Sequence, residues 1–318
     1  MRPLHLVGDK DPRTRERVRL DGGRFMMGAN ERYPEEAPAR PVVVDTFEID
    51  THAVTNRDFA AFVEDTGWVT VAEIPADPND YPGALPEMLA PSSLVFTPPQ
   101  GPVPLDDIRA WWRYTPSAQW RSPQGAGSSI NGLWDHPVVH VAWADVEAYA
   151  RWVGASLPTE AEWEFAARGG LEGADFAWGD ELEPNGQRMA NTWLGRFPWE
   201  NLKPGGRTLT TPVGAFPANG YGLYDMIGNT WEWTADWWST MAPDTVVKAC
   251  CAPKNPRGGD EAASKGPGDA TPRKVLKGGS HLCAPSYCKR YRPAARHAQP
   301  TDTSTSHVGF RCVVREAV

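Results

Sequence analysis

The chain carries the stretch NGYGLYDMIGNTWEW at residues 219–233, in which turn-forming residues are interspersed with large aromatic side chains. The whole sequence has this character, with 30 glycines, 31 prolines and 15 tryptophans among 318 residues. So many helix breakers argue against a helical bundle, a coiled coil or a helical repeat. The hydrophobic share of 41% is still high enough for a sizeable core and excludes a disordered chain. We therefore predict one irregular, loop-rich α+β domain over residues 1–318, with little regular secondary structure.

Local patterns place a few regular elements in this domain. Capping pairs, or apolar residues at helical spacing followed by glycine, predict helices at residues 55–67, 143–153 and 159–169. Runs of apolar and β-branched residues predict short strands at residues 24–27, 41–49 and 137–139. The other stretches are predicted as an N-terminal tail (1–16), an irregular ordered loop (74–136) and a mobile surface loop (243–275).

The charge balance limits the possible partners. Lys and Arg total 32 and Asp and Glu total 40, which gives a formal net charge of −8. Because an acidic protein repels phosphate backbones, we expect no nucleic-acid partner. No apolar run is long enough to span a bilayer, so we expect no membrane association. Residues 1–10 lack the apolar core of a signal peptide, and we expect a cytoplasmic protein.

The five cysteines, Cys250, Cys251, Cys283, Cys288 and Cys312, cannot all pair within one chain. Cys283 and Cys288 are five residues apart with Pro285 between them, so a regular helix would not place them on one face. Their sulfurs can converge only if the backbone between them turns. Two thiolates without further ligands cannot close a zinc site, but they suit a reversible disulfide or a soft ion such as Cu(I). Two buried, inert thiols are the alternative.

Several motifs carry a resemblance to a known family. GGRFMMG at residues 22–28, LPTEAEWE at 157–164 and the stretch at 219–233 occur in relatives with different or no chemistry, and they indicate the fold. A more specific block follows, with GGS at 278–280, the two cysteines, RYR at 290–292, AAR at 294–296 and GFRC at 309–312. With this block the chain resembles the formylglycine-generating enzymes, or sulfatase-modifying factors, of actinobacterial type, which have a C-type-lectin-like fold.

The resemblance implies an oxidoreductase. Family members oxidise the cysteine of a Cys-x-Pro-x-Arg motif, in an unfolded or extended sulfatase polypeptide, to Cα-formylglycine with O2, which activates the sulfatase. It implies that Cys283 and Cys288 bind Cu(I), that Ser280 hydrogen-bonds near the reacting atoms, and that Trp231 and Tyr287 wall the pocket. Arg296 is expected either as a pocket charge or as a member of a structural ion pair. We expect a monomer, because a peptide must enter an open groove.

The resemblance also implies structural Ca²⁺. At one site Asp225 and Glu232 match side-chain ligands, with carbonyl oxygens from Gly228 and Thr230, and this site is expected intact. The second site matches Asn191 and the Thr192 carbonyl and involves the segment of Gly205 and Arg207. Gly205 stands where the family has an aspartate, which puts this second site in doubt.

The remaining cysteines and histidines have weaker expectations. We expect Cys312 to be buried and reduced, because the position that pairs with it in secreted animal members is Ala150 here. Cys250 and Cys251 have no assigned role. His136 and His140 are expected to be ordinary core or surface residues, whereas His281 and His307 are candidates for the edge of the pocket.

Two other classes of function share this fold. An iron-dependent sulfoxide synthase would take its ligands from an additional helical domain with a His-x-x-x-His-Glu pattern, and His140 is followed here by Val141. A non-enzymatic binding module would use the fold only to display a ligand-binding surface. Inactive members of the family lack the cysteine pair that this chain has, so we rank the copper-dependent oxidase first.

Overall fold

The structure is a computed structural model that describes residues 11–79, 81–203, 209–240 and 252–316. Its strands are β1 (Arg17–Leu20), β2 (Gly23–Met27), β3 (Arg40–Val44), β4 (Phe47–Asp50), β5 (Ser92–Phe96), β6 (Trp112–Pro116), β7 (Trp231–Trp237), β8 (Arg273–Lys277), β9 (Arg296–Pro300), β10 (Val308–Gly309) and β11 (Val313–Arg315). Its α-helices are α1 (Asn56–Thr66), α2 (Trp143–Trp152) and α3 (Glu160–Arg168). Short 3-10 turns lie at Pro34–Glu36, Val71–Glu73, Pro86–Leu89, Ile108–Ala110 and Pro184–Gly186.

The strands form several small sheets. One sheet has the order β1-β4-β11, a second has the order β10-β7-β8-β9, and two hairpin-like pairs join β2 with β3 and β5 with β6. All pairs are antiparallel except β10 with β7. This confirms the predicted fold class, an α+β domain in which loops make up much of the chain. No helix in the described ranges has both the length and the apolar character needed to cross a bilayer.

The helices begin and end where their capping residues predict. In α1 the Thr55 hydroxyl accepts from the Asp58 amide, and the Asp58 carboxylate accepts from the Thr55 amide at 2.9 Å. Thr159 and Glu162 repeat this capping box at α3. Both helices end at a glycine with a left-handed backbone, where a side chain would be strained. The predicted helix at 143–153 is α2, which ends one residue earlier.

Three strand predictions are corrected by the structure. The predicted strand at 41–49 is two strands in different sheets, because the Asp45 amide donates to the Asn255 side chain at 2.8 Å and leaves the ladder there. The region 74–136, predicted to be irregular, contains β5 and β6, whose pairing joins residues far apart in the sequence. Residues 137–139 do not form a strand: Pro137 makes an isolated bridge to Thr55, and His140 has a φ of 62°.

Two predicted loops are shorter than expected. Within the predicted tail, Arg15 is buried and pairs with Asp50 and Asp58, so the fold already includes it. In the predicted loop at 243–275, the Val43 amide donates to the Pro253 carbonyl at 2.9 Å, and β8 begins at residue 273. Cys250 and Cys251 lie outside the described residues.

Buried charges connect α3 to the sheet that leads to the candidate site. Lys277, the last residue of β8, is fully buried, and its ammonium lies 2.9 Å from Glu164 and 3.6 Å from Glu160. Glu164 also pairs with Arg168 at 2.7 Å. Lys277 and Arg168 lower the pKa of the Glu164 carboxyl to about 2 against the opposing effect of its burial. Removing one member leaves the others as uncompensated buried charges.

We expect Lys277→Met to lower the free energy of unfolding by about 3 kcal/mol, because it removes a buried cation from two carboxylates. The matched control is Lys254→Met, which breaks an exposed pair with Asp45 and is expected to cost less than about 1 kcal/mol. Urea unfolding followed by tryptophan fluorescence measures both. Equal losses in the two variants would contradict the structural role of the Lys277 cluster.

Candidate active site

The chain turns sharply directly after β8, and two glycines make this turn possible. Gly278 and Gly279 have φ values of 90° and 71°. A Cβ atom on Gly278 would lie 2.7 Å from the Met226 carbonyl oxygen, and one on Gly279 would lie 2.7 Å from the Arg290 carbonyl oxygen. Only glycine fits both the backbone conformation and the space. The turn therefore brings residues 278–283 into close contact with two other loops.

Cys283 and Cys288 meet in this region. Their sulfur atoms are 3.3 Å apart, and both thiols are free. The Cys288 amide donates to the Ala284 carbonyl at 2.9 Å, so the backbone between the cysteines folds into a tight turn around Pro285. This is the turn that the spacing required. A disulfide would need the two sulfurs to approach to about 2.05 Å.

The two thiols differ in their electrostatic surroundings. Burial and the neighbouring Cys288 raise the pKa of Cys283 well above its ordinary value. The pKa of Cys288 is lowered, because its sulfur interacts with the Cys283 thiol and lies 4.0 Å from the Arg290 guanidinium. Arg290 is held in place by Glu35 at 2.6 Å. Cys288 is therefore the thiol that ionises first.

Asn229 joins the loops behind the thiol pair. Its carbonyl oxygen accepts from the His281 amide at 3.0 Å. Its side-chain oxygen accepts from the Asn191 amide group at 3.1 Å and from the Thr211 amide at 2.9 Å. The Trp193 amide in turn donates to the Cys283 carbonyl at 3.0 Å. The position of Cys283 thus depends on contacts from two distant segments.

The thiol pair faces a cavity of about 590 Å³, which is within the usual size of a ligand pocket. Aromatic and other side chains from several loops line it together with the two cysteines, among them Ile108, Arg109, Trp111, Trp112, Tyr114, Phe197, Trp231, Ser280, Tyr287, Arg290, His297 and His307. Of the residues predicted from the sequence, Ser280, Trp231 and Tyr287 are all in this lining. Ser280 is completely buried, and its hydroxyl accepts from the Leu282 amide at 3.2 Å.

Arg296 lies elsewhere. Its guanidinium is 2.8 Å from the Glu160 carboxylate and donates to the Ser239 carbonyl at 2.9 Å, and it is not among the residues that line the cavity. Of the two roles expected for Arg296, the structure shows the ion pair. His281 is also directed away, because its Nδ1 lies 2.7 Å from the Asn229 carbonyl oxygen, whereas His307 lines the cavity as expected.

Sequence reasoning missed most of the aromatic wall. Phe197 stacks on Tyr287 with ring centroids 4.6 Å apart, and Trp111 meets the same ring edge-on at 5.5 Å. His297 lies over Trp231 at 5.7 Å and is exposed to the cavity. No local spacing could have identified these residues, because they come from segments far from the cysteines. The strand pair β5–β6, which was not predicted, supplies Trp112 and Tyr114.

The donor set at the thiol pair fits a soft ion of low coordination number. The two sulfurs are close enough to contact one ion, and the described residues contain no cluster of three or more His, Cys, Asp or Glu side chains that could hold a metal. Soft thiolates with few other ligands suit Cu(I) better than Zn²⁺, which takes four ligands in structural sites. Cys283 and Cys288 are the residues that would hold it.

The first expected calcium site fits only in part. Both oxygens of Glu232 are in use, because they accept from Arg311 at 2.8 and 2.9 Å and from the Trp163 indole at 2.8 Å. Asp225 accepts from the Gly214 amide at 2.7 Å, but its other carboxylate oxygen is buried without a hydrogen bond from the described residues. Burial raises the pKa of Asp225 to about 6. The expectation that Glu232 is a free calcium ligand is therefore not matched here.

At the second expected site, basic side chains contact the expected ligands. Lys203 donates to the Asn191 side-chain oxygen at 2.5 Å, and Arg188 donates to the Thr192 carbonyl at 3.1 Å. Burial and the nearby Arg188 lower the pKa of Lys203 to about 7. Gly205 and Arg207 lie outside the described residues.

Comparisons of the sequence identify its relatives. A family model described as the sulfatase-modifying factor enzyme 1-like domain matches residues 5–316. The formylglycine-generating enzyme of Mycobacterium tuberculosis is 54% identical over 299 residues, which cover 94% of this chain and 97% of that protein. The formylglycine-generating enzyme of Thermomonospora curvata is 46% identical over 306 residues, which cover 93% of this chain and 92% of that protein.

A comparison with solved structures shows the likeness of fold. The structure of PvdO from Pseudomonas aeruginosa superposes with a TM-score of 0.58 and covers 95% of this chain and 94% of that one. The two sequences are 22% identical, so the comparison indicates a shared architecture.

In reduced, metal-free protein we expect iodoacetamide to alkylate Cys288 before Cys283 and Cys312, because only the pKa of Cys288 is lowered. Arg290→Gln should slow the reaction of Cys288 at pH 7 by about 3- to 10-fold, since it removes the cation that stabilises the thiolate. Timed alkylation and peptide mass mapping measure each site.

The matched control is Glu35→Gln, which removes the partner of Arg290 but leaves the guanidinium, and it should not slow the reaction. Faster alkylation of Cys283 than of Cys288, or an unchanged rate in Arg290→Gln, would show that the assignment of the reactive thiol is wrong.

Proposed function

The chain belongs to the sulfatase-modifying factor family, and from that premise we propose that it converts a cysteine of a sulfatase polypeptide to Cα-formylglycine. The proposed substrate is an unfolded or extended segment with the motif Cys-x-Pro-x-Arg, and the proposed oxidant is O2. The product aldehyde would activate the client sulfatase. In this reaction the Cβ carbon of the substrate loses two electrons, its sulfur leaves as sulfide, and a carbonyl oxygen takes its place.

The observation that carries the proposal is the free thiol pair on the wall of an aromatic cavity. Family membership alone indicates the fold, since relatives with the same motifs differ in chemistry. A pair of sulfurs 3.3 Å apart that lines a cavity of about 590 Å³ is the feature that inactive members are expected to lack. The cavity is open enough for a peptide side chain to reach the sulfurs.

Copper is the proposed cofactor, held by Cys283 and Cys288. A Cu(I) ion at the thiol pair would supply one-electron redox chemistry with O2, which sulfur and carbon atoms of a protein do not supply by themselves. The chain's contribution to binding is the arrangement of the donors. Arg290 favours the thiolate form of Cys288, and thiolates are the forms that bind metal.

Other residues of the cavity prepare the reaction. The aromatic walls, with Phe197 stacked on Tyr287 and Trp231 beside His297, limit access of water to the sulfurs. Ser280 is fixed by its contact with the Leu282 amide, and its hydroxyl hydrogen remains available to donate to a reacting sulfur or oxygen. The exposed side chains of Ile108 and Tyr114, at 55% and 59% exposure, are placed to contact an entering peptide.

Calcium enters the proposal at one place. The unpartnered oxygen of Asp225 is a hard ligand suited to Ca²⁺, and the resemblance adds the carbonyls of Gly228 and Thr230. Glu232 is excluded from this set by its ion pair with Arg311. We also propose that the protein acts as a monomer in the cytoplasm.

The two alternative functions are less well supported. The histidines that resemble an iron-binding pattern are directed elsewhere: His136 contacts the Thr210 hydroxyl at 2.9 Å, and His140 contacts the Ser93 hydroxyl at 2.7 Å. A pure binding module gives no reason for two free thiols in its cavity. Both observations favour the oxidase.

We expect purified protein with Cu(I), O2 and a reducing thiol to convert a Cys-x-Pro-x-Arg peptide to an aldehyde product, detected by mass spectrometry and captured with a hydrazide. Cys283→Ser and Cys288→Ser should each lower turnover by at least about 100-fold, because each removes one of two soft ligands. The matched control is Cys312→Ala, which alters a buried cysteine outside the cavity lining and should keep most of the activity.

Activity retained in both serine variants would exclude the two-thiolate mechanism. A wild-type protein that binds the peptide without converting it would instead favour the binding module.

We expect rigorous removal of copper with a Cu(I) chelator to abolish turnover and re-addition of stoichiometric Cu(I) to restore it. Fe²⁺ should not restore it, because two thiolates with no histidine set provide a poor site for that ion. The measurement is the initial rate with metal content determined by elemental analysis. Full activity in copper-free protein would contradict the choice of metal.

A further inference from the structure

The segment beside the thiol turn is held by basic side chains at the position where the resemblance expects calcium. The Lys203 Nζ atom lies 2.5 Å from the Asn191 side-chain oxygen. The Arg188 guanidinium donates to the Thr192 carbonyl at 3.1 Å and lies 3.4 Å from the Ala190 carbonyl. Both oxygens expected to bind calcium in this segment are therefore used by donors from the chain itself.

The orientation of the Asn191 amide is fixed. Its Nδ2 donates to the Leu209 carbonyl at 3.2 Å and to the Asn229 side-chain oxygen at 3.1 Å. These two acceptors require the nitrogen on that side, so the oxygen must face Lys203. Asn191 is 2% exposed, and its amide oxygen must find a donor or a cation there.

Calcium fits this arrangement poorly. Ca²⁺ takes six to eight oxygen ligands and prefers carboxylates among them. Here Gly205 stands where the family has an aspartate. The nearest carboxylate described at Arg188 is that of Glu183, 3.9 Å away and 44% exposed. A divalent cation would have to displace Lys203 and lie beside the Arg188 guanidinium, which repels it.

We infer that Arg188 and Lys203 replace the second calcium ion, so that this segment is held by internal hydrogen bonds and needs no metal. The contacts have a direct consequence for the site, since the Trp193 amide, next in the chain after Thr192, donates to the Cys283 carbonyl. Lys203 and Arg188 thus position the thiol turn through residues 190–193. This inference rests on the family assignment and is independent of the proposed reaction.

The first test is the calcium stoichiometry of the wild-type protein. Equilibrium dialysis against 1 mM CaCl2, followed by elemental analysis, should give at most one Ca²⁺ per chain, bound at Asp225. Two bound ions per chain would overturn the inference. This measurement needs no variant, and inactivity of the protein toward a sulfatase peptide would not affect it.

The second test compares Lys203→Met with Lys265→Met, an exposed lysine that serves as the matched control. We expect Lys203→Met to lower the melting temperature by about 3–6 °C, equally in EDTA and in 1 mM CaCl2, because it removes one charged hydrogen bond to a buried oxygen. Lys265→Met should leave it unchanged. A melting temperature of Lys203→Met equal to that of the wild type would overturn the inference. If Lys203→Met does not fold, the calcium stoichiometry of the wild type decides.

Discussion

The arrangement of this protein depends on the hydrogen bonds of one buried residue, Asn229. A chain with little helix or sheet must satisfy its buried backbone groups by other means. Asn229 does so for several loops at once: its side chain bonds to Asn191 and Thr211, and its carbonyl bonds to His281. Its own backbone has a φ of 56°, a conformation that asparagine tolerates better than most residues. Loops from four parts of the sequence are fixed relative to one another by this residue.

Buried ion pairs complete what the small sheets do not provide. Arg311 joins β10–β11 to β7 through Glu232, and Lys277 joins β8 to α3 through Glu164. Such pairs contribute little net stability compared with apolar side chains, but each is costly to break. They therefore specify one arrangement of the loops more than they increase stability. The same principle accounts for the role we infer for Lys203 and Arg188 beside the thiol turn.

The rigidity of the surroundings has a chemical purpose at the thiol pair. Two sulfurs 3.3 Å apart, in a wall with no cluster of further metal-ligating side chains in the described ranges, can hold an ion while leaving part of its coordination open. The asymmetry between a buried Cys283 and a Cys288 beside Arg290 gives the pair one thiol that ionises readily. A substrate cysteine can then approach from the cavity, where aromatic rings and exposed apolar side chains favour an extended peptide.

The sequence by itself determined the helices and the sharp turn between the cysteines. Capping boxes, glycine stops and the position of Pro285 act over a few residues, so their effect is visible in the local pattern. The motifs also indicated the family and, through it, Ser280, Trp231 and Tyr287 as cavity residues. The tertiary structure alone decided the rest: the pairing of β5 with β6, the place of Arg296 in an ion pair, the stacking of Phe197 on Tyr287, and the contacts of Lys203 and Arg188 with Asn191 and Thr192. These features join residues that are distant in sequence or depend on the direction of a side chain, and no periodicity encodes which distant group a buried charge or ring will meet.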